Sequence, residues 1–239
     1  MRNLFALFVL LFFSGSVLIA QCDGKPGPDG LTWNFDEGEK ESFNLLHFIG
    51  GVFTPDLIKE TKQIRTYIRD PRFAELVKRC GDVRAMDYIF LKALKIADHY
   101  VPRALFLSMI GCLDHRNLDV KVPLIGVVDI PLTLEDDTLF KSRYGNLPSR
   151  LYDDTPPEGD KDKLQHFFGS AYIAFASESR ELARTSGDLV EWGEAKFVVG
   201  GIDDPRDRRS NKQGERFGHD LLVVKNLLPS DYLNLKVEE

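Results

Sequence analysis

Apolar residues recur every three to four positions through most of this chain, and short Asp-Pro, Pro and Gly punctuation separates the repeating stretches. This period indicates amphipathic helices, because side chains three and four positions apart lie on one face of a helix. A first helix is predicted to begin at the Thr-Pro-Asp triplet of residues 54–56 and to end at the Asp-Pro pair of residues 70–71. A second, shorter helix follows the same pair and ends at Gly81. The pattern predicts a mainly α fold, a helical bundle with short extended connector segments.

The remaining helices are predicted from the same kinds of start and stop residues. Asp82 is expected to cap a third helix, and Pro102 is expected to break the chain before a fourth at residues 104–113. Three more helices are predicted in the second half, at residues 161–184 after Asp160, 189–199 after Asp188, and 205–222. Short connections between these last helices predict that neighbours pack antiparallel.

Two stretches depart from the helical pattern. Residues 120–134 are rich in β-branched residues but contain two prolines, which fits an edge strand or an extended connector better than a central strand. Residues 146–160 contain three prolines and are interpreted as an ordered loop or a joint between domains. The chain is accordingly divided into a helical N-terminal region at residues 35–150 and a motif-bearing region at residues 151–239. Whether the two regions share one core is left open.

The N-terminus has the three parts of a secretory signal. Residues 1–20 contain one charged residue, Arg2, followed by an apolar run and by a small residue at Ala20. The run is near the lower length limit for a spanning helix and is interrupted by Ser-Gly-Ser, which favours cleavage over an uncleaved anchor. We therefore expect an exported protein, located in a bacterial periplasm or attached to a membrane.

The residues that follow the signal suggest how attachment would occur. The sequence Ile-Ala-Gln-Cys at residues 19–22 resembles a bacterial lipoprotein box, in which the cysteine is lipidated, although Gln21 replaces the small residue usual there. Residues 21–34 are rich in Gly and Pro and are interpreted as a tether. A chain anchored through Cys22 and a free periplasmic chain both remain open.

Charge and cysteine content narrow the classes of function. The 239 residues include 31 basic and 37 acidic side chains and carry a net charge of −6, which argues against a general nucleic-acid binder. Envelope components or a membrane surface are the expected partners, and nucleic acid is not. In an exported chain, Cys80 and Cys112 form either a disulfide or two buried thiols.

Three blocks of polar residues in the second half carry the candidate chemistry. They are Asp162-Lys163-x-x-His166, a glutamate near position 194, and Asp207-x-x-x-Asn211-x-x-Gly214. Over residues 162–218 these blocks resemble the Asp-Lys-x-x-His, Glu, Asp-x-x-x-Asn-x-x-Gly pattern of YfiM-like lipoproteins and VanZ-like envelope proteins. The glutamate of this chain falls at a different offset, so Glu191 and Glu194 both fit that place. The resemblance implies an envelope protein and brings no settled activity.

Helix geometry gives the same residues a reason to meet. Asp207, Asn211 and Gly214 lie on one face of their helix, together with Gly218. The two glycines would let another helix approach closely and leave the polar side chains in the contact. We therefore expect His166 and Asp207 to meet between the helices, shielded from water.

Two interpretations of this cluster remain open. In the first, it is a polar clamp in which Asp162 or Asp207 pairs with Lys163, with Arg206 or with a helix terminus. In the second, it is an acid/base site or a site for zinc or another divalent ion, because imidazole and carboxylate groups are suitable ligands. The candidate residues are His166, Glu194 and Asp207 as catalytic residues or metal ligands, and Asp162, Lys163 and Asn211 as their supporting groups.

The sequence thus predicts one of two functions. The first is an exported, non-catalytic envelope protein with a buried His-Glu-Asp-Asn cluster. The second is a metal-assisted hydrolase of envelope lipid or peptidoglycan-linked material, in which the ion lowers the pKa of a bound water. A stoichiometric divalent ion would distinguish the second function from the first.

Overall fold

The computed structural model describes residues 55–122, 126–197 and 204–233. The expected signal, the tether and Cys22 lie outside these ranges. Within them the protein is mainly α, as predicted, with nine helices and one two-stranded sheet. The elements are α1 (Pro55–Arg69), α2 (Pro71–Cys80), α3 (Asp82–Ile96), α4 (Val101–Gly111), β1 (Asn117–Val122), β2 (Gly126–Pro131), α5 (Asp137–Asn146), α6 (Lys161–Ala176), α7 (Arg180–Phe197), α8 (Pro205–Asp220) and α9 (Ser230–Leu233). None of the helices in these ranges is long and apolar enough to cross a bilayer.

The helices of the first half follow their predicted boundaries with two corrections. Asp70 caps α2 by accepting a hydrogen bond of 2.9 Å from the backbone two residues on, and Gly81 ends the helix with φ of 84°. Asp82 is not a cap; it is the first residue of α3, and its carboxylate instead accepts hydrogen bonds from the backbone of residues 149–150. Pro102 does not precede the fourth helix but lies in the first turn of α4, where its missing N–H costs no helical hydrogen bond.

The long helix predicted at residues 161–184 is wrong, because the chain forms two helices there. Asp188 therefore lies inside α7 and does not cap a new helix. The break between α6 and α7 has a local cause: the Ser177 hydroxyl donates to a carbonyl one turn back at 2.6 Å, and Glu178 adopts φ of 53°. This left-handed conformation does not continue an α-helix.

A hairpin and a short helix connect the two halves. β1 and β2 pair antiparallel, with Leu118 opposite Ile130, so each strand is an edge strand, one of the two structures expected for residues 120–134. Helix α5 was not predicted from the sequence; Asp136 caps it by accepting a hydrogen bond of 2.8 Å from a backbone N–H. Residues 147–160 form neither helix nor strand and are an ordered loop with buried leucines.

Helices from both sides of residue 150 contribute to one hydrophobic cluster. Phe90 of α3 packs edge-on against Phe217 of α8, with ring centroids 5.3 Å apart. The same Phe217 ring stacks on Phe167 of α6 at 5.4 Å, and all three rings are fully buried. The helices that carry the polar motif therefore share their core with the N-terminal helices.

The cysteines differ from both expectations. Cys112 is a free thiol that is fully buried at the end of α4, and burial raises its pKa to about 12. Cys80, the last residue of α2, is disulfide-bonded. A Cys80–Cys112 disulfide is therefore wrong, because Cys112 is enclosed by the hydrophobic cluster as a free thiol. The alternative of two buried thiols is wrong for Cys80.

Candidate functional site

Helices α6 and α8 touch backbone to backbone. A Cβ atom added to Gly214 would lie 2.0 Å from the carbonyl oxygen of Phe167, and one added to Gly218 would lie 2.0 Å from that of Ala171. Such distances are far inside the optimal separation of nonbonded heavy atoms, so glycine at both positions is what allows the contact. Gly214 faces Phe167, and Gly218, four residues further on, faces Ala171, which is also four residues further on. Helices α6 and α8 therefore run parallel. The close approach predicted at Gly214 and Gly218 is confirmed.

Polar side chains join the two helices beside these glycines. The Ser170 hydroxyl donates to Oδ1 of Asn211 at 2.9 Å, and the Ser210 hydroxyl donates to the carbonyl of Lys163 at 2.6 Å. Asn211 also lies close to α7, where a Cβ added to Gly187 would be 3.3 Å from its Nδ2. Asn211 therefore joins α8 to α6 by a hydrogen bond and lies against α7, one turn beyond Asp207.

Three carboxylates surround one ammonium group where α6 and α8 begin. Nζ of Lys163 lies 2.5 Å from Oδ2 of Asp162, 2.9 Å from Oδ2 of Asp204 and 2.7 Å from Oδ1 of Asp207. The Lys163 side chain is 1% exposed. Acidic side chains are favoured at helix N-termini, where the helix dipole is positive. We call Asp162, Lys163, Asp204 and Asp207 the carboxylate cluster.

Burial and hydrogen bonding act differently on the members of this cluster. Burial raises the pKa of Asp207, against the opposing charges of His166 and Lys163. For Asp204, burial alone would raise the pKa, but hydrogen bonds from Arg206 and Lys163 outweigh it and the pKa is lowered. Burial would likewise lower the pKa of Lys163, but its hydrogen bonds to the carboxylates raise it. Lys163 and Asp204 are therefore charged at neutral pH.

Asp207 makes the least complete set of contacts in the cluster. Its Oδ1 is buried and makes no hydrogen bond of acceptable geometry, even though Nζ of Lys163 lies only 2.7 Å away. The short distance without hydrogen-bond geometry describes an ion pair. Asp207 is therefore the carboxylate of the cluster best placed to take up a proton.

The predicted meeting of His166 and Asp207 is confirmed. Nε2 of His166 lies 3.5 Å from Oδ1 of Asp207, and both residues are buried between the helices. The distance is longer than an ordinary hydrogen bond and describes a weaker electrostatic contact. Glu191 and Glu194 belong to α7, but their side chains lie outside the described part of the structure. The proposed ligand set of His166, Glu194 and Asp207 therefore stays a prediction.

Asp160 and Arg206 extend the ionic network and were not selected from the sequence as site residues. Nη1 of Arg206 donates to Oδ1 of Asp160 at 2.8 Å, and Nη2 donates to Oδ2 of Asp204 at 2.5 Å. Asp160 stands at the N-cap position of α6 but makes no capping bond, because its carboxylate accepts from Arg206 and from the backbone N–H of Leu151. The Asp-Pro pair at residues 204–205 could have marked Asp204 as the cap of α8, because its side chain accepts a hydrogen bond from the backbone N–H of Arg206.

A polar cavity of about 290 Å³ opens beside the cluster. Asp162 and Arg206 line it together with Asp114, Tyr144 and Lys161. Asp162 is the most exposed carboxylate of the cluster, at 38%, whereas Asp207 and Lys163 lie behind it. Solvent therefore reaches the cluster from the side of Asp162.

The three aspartates of the carboxylate cluster offer oxygen ligands for a metal ion. Oxygens of Asp162, Asp204 and Asp207 lie within 4.8 Å of one another. An all-carboxylate set suits Mg²⁺, Ca²⁺ or Mn²⁺ better than zinc. The Lys163 ammonium, however, already lies within 2.9 Å of all three carboxylates. A divalent ion would have to displace that group to bind all three.

Comparison of the chain with protein-family models, with curated proteins and with solved structures found no match in any of the three. The resemblance of residues 162–218 to YfiM-like and VanZ-like proteins therefore stays a prediction.

Proposed function

We propose that this chain is an exported, non-catalytic protein of the cell envelope, in which the carboxylate cluster fastens α6 to α8. Export is supported by the signal-like residues 1–20, and membrane attachment through Cys22 by the lipoprotein-like residues around it. Envelope components or a membrane surface are the proposed partners. The resemblance of residues 162–218 to YfiM-like lipoproteins agrees with this location.

One observation carries the non-catalytic part of the proposal. The Lys163 ammonium occupies the space between Asp162, Asp204 and Asp207, where a reactive metal would have to be bound by carboxylates. A buried ammonium with three carboxylate partners is stably charged and poorly suited to release a proton, since its raised pKa keeps it protonated. The cluster therefore has the properties of a structural clamp between helix ends.

The second candidate function is a metal-assisted hydrolase of envelope lipid or peptidoglycan-linked material. It is favoured by the convergence of Asp162, Asp204 and Asp207 and by the contact of His166 with Asp207. Displacement of Lys163 would leave three oxygen ligands for a divalent ion, with His166 beside them to hold or accept a proton. A bound ion would supply a more acidic water as the nucleophile.

Elemental analysis of the protein purified from the envelope fraction separates the two functions. The clamp predicts no stoichiometric divalent metal, and a melting temperature that neither a chelator nor added Mg²⁺, Mn²⁺ or Zn²⁺ changes. Intact mass of the same preparation is expected to show loss of residues 1–20, with additional lipid mass if Cys22 is acylated.

Two variants make the metal measurement decisive. One tightly bound ion per chain that is lost in Asp207→Asn but kept in Asp154→Asn would overturn the clamp and support the hydrolase. Asp154 is a suitable control because it pairs with Arg209 at the surface, away from Lys163. An intact mass that retains residues 1–20 would count against export by cleavage.

A further inference from the structure

A second buried ionic cluster lies between α1, the end of α4 and α5. Three arginines, Arg65, Arg69 and Arg143, converge on the carboxylate of Glu135. Nε of Arg143 donates to Oε2 of Glu135 at 2.9 Å, Arg69 donates to Oε1, and Nε of Arg65 lies 3.8 Å from Oε2. We call these four residues the arginine cluster.

The cluster is deeply buried on all sides except one. The side chains of Arg143, Arg65 and Arg69 are 0%, 8% and 14% exposed. Arg69 therefore forms the edge of the cluster that faces solvent. Close to this edge, Leu134 is 89% exposed, although its two chain neighbours are buried. A ligand would reach the guanidinium groups from the side of Arg69.

Several donors of the cluster are engaged by the chain itself. Nη1 of Arg143 donates to the carbonyls of Gly111 and Leu113 at 2.9 and 2.7 Å, and Nη1 of Arg65 donates to the hydroxyl of Thr133 at 2.6 Å. Two buried donors are left over, because Nη2 of Arg143 and Nε of Arg65 make no hydrogen bond within the part of the chain that the structure describes. Buried donors without an acceptor are rare, because desolvating them is costly.

The charges of the cluster are also unbalanced. Among the residues that the structure describes, Glu135 is the one carboxylate paired with the three guanidinium groups, which leaves a surplus of two positive charges. The carbonyls at the end of α4 offset about half a charge, as a helix C-terminus does. More than one uncompensated positive charge remains in a site nearly closed to water, which is unfavourable.

Burial, and to a smaller extent the neighbouring positive charges, lower the pKa of Arg65. Burial lowers the pKa of its guanidinium to about 10; Glu135 opposes this, and the neighbouring Arg143 and Arg69 add to it. Arg65 is still protonated at neutral pH, so the cluster cannot lose its charge by releasing a proton. An anion is the remaining way to balance it.

We propose that the arginine cluster is a binding site for one oxoanion of the phosphate type, entered from the side of Arg69. Guanidinium groups present planar pairs of donors that match phosphate oxygens. Inorganic phosphate carries between about one and two negative charges near neutral pH, and the phosphodiester of a lipid headgroup carries one, so either anion would offset a large part of the surplus. The phosphate comes either from solution or from a phospholipid headgroup, whose apolar chain would meet the exposed Leu134. This site is separate from the carboxylate cluster and does not depend on the proposed function.

Thermal unfolding with increasing inorganic phosphate, at constant ionic strength, tests the site in the full exported chain. A ligand that binds the folded state raises the melting temperature with its concentration. We expect such a rise for the wild type and an affinity weakened about tenfold or more in Arg69→Gln, which loses the donor at the entrance. Arg72→Gln is the matched control, because Arg72 is 91% exposed and pairs with Asp70; the affinity of this variant for phosphate should equal that of the wild type.

A second variant keeps the test informative if Arg69→Gln does not fold. Arg69→Lys keeps the charge but not the planar pair of donors, so it is expected to bind phosphate with intermediate affinity. Circular dichroism checks that each variant is folded before titration. No phosphate-dependent rise in the wild type, or an equal rise in all four proteins, would overturn the proposal.

Vesicle flotation distinguishes the two sources of phosphate. Binding to vesicles that contain phosphatidylglycerol, but not to vesicles of phosphatidylcholine alone, with release by inorganic phosphate and loss in Arg69→Gln, identifies a lipid headgroup. A phosphate-dependent rise in melting temperature without vesicle binding identifies the free anion. Vesicle binding that is equal in Arg69→Gln and the wild type would show that another surface binds the lipid and would contradict the lipid source.

Discussion

In the carboxylate cluster one lysine stands among three aspartates, whereas in the arginine cluster one glutamate stands among three arginines. In each cluster the sign of the majority charge is the one that the nearby helix ends favour. The aspartates lie at the N-termini of α6 and α8, and the arginines lie near the C-terminal carbonyls of α4. Helix termini carry partial charges of opposite sign, so each cluster gathers the side chains that its helix ends favour.

The two clusters differ in how a surplus of charge can be relieved. A carboxylate can take up a proton, and Asp207, whose pKa burial raises, is the group placed to do so. A guanidinium keeps its proton throughout the physiological range, and even Arg65, with a pKa of about 10, remains charged. The carboxylate cluster can therefore lower its surplus charge by protonation, whereas the arginine cluster has no such route, which is the basis for proposing an anion there.

The largest effect is expected when the carboxylate cluster loses its one lysine. Lys163→Met leaves three carboxylates without their shared partner, and the free energy of unfolding should fall by about 3–5 kcal/mol at neutral pH. Without the ammonium, burial and mutual repulsion raise the carboxylate pKa values above those of the unfolded chain. Ionisation of these carboxylates then lowers the free energy of unfolding, and this loss disappears as the pH falls through their raised pKa values. Urea unfolding at neutral and mildly acidic pH measures both effects.

Two comparisons show whether this result is specific. Lys141→Met, at a 74% exposed lysine that pairs with Asp137, should change stability by no more than about 0.5 kcal/mol. Glu135→Gln should also lower the free energy of unfolding. Acidic pH should not restore that stability, because the arginines keep their charge. Equal recovery of Lys163→Met and Glu135→Gln in acid would contradict the distinction between the clusters.

The next largest effect tests the backbone contact that brings the aspartates together. Gly214→Ala places a methyl group 2.0 Å from a carbonyl oxygen of α6, so the helices must separate, and we expect a loss of about 3 kcal/mol by urea unfolding. Gly145→Ala in α5 meets nothing within 4 Å and should stabilise the protein by about 0.5–1 kcal/mol through helix propensity. If Gly214→Ala does not lower the free energy of unfolding relative to Gly145→Ala, α6 and α8 are not in contact at Gly214.

Sequence periodicity predicted the part of the site that is repeated along helices. The spacing of Asp207, Asn211, Gly214 and Gly218 placed them on one face, and small residues on that face predicted the close approach that the structure contains. Start and stop residues also predicted both ends of α2, at Asp70 and at Gly81. Helix faces and helix ends depend on residues within one or two turns of one another, so they can be predicted from a short stretch of sequence.

Features that depend on distant residues were not predicted. The sequence offered Lys163 as one possible partner of Asp162 or Asp207, but its place among three aspartates, with Asp204 as the third, arises only when α6 and α8 lie side by side. The arginine cluster joins Arg65 to Arg143 and Glu135, from helices and a connector far apart in the chain, and no spacing marks such residues in advance. The break at Glu178 was missed because a single left-handed residue leaves the apolar pattern on both sides intact.

The smallest effect concerns a carboxylate whose charge the fold stabilises. Hydrogen bonds from Arg206 and Lys163 lower the pKa of Asp204 below its usual 3.8 despite burial, so its contribution to stability is present above that pH and is lost as the pH falls through the lowered value. Asp204→Asn keeps a good helix cap and loses the charge, which should cost about 1 kcal/mol at neutral pH. The difference between variant and wild type in urea unfolding should shrink in acid, whereas Asp154→Asn, at an exposed ion pair, should differ little at any pH. A difference for Asp204→Asn that stays constant from neutral to acidic pH would mean that the ionised form of this carboxylate is not what the clamp stabilises.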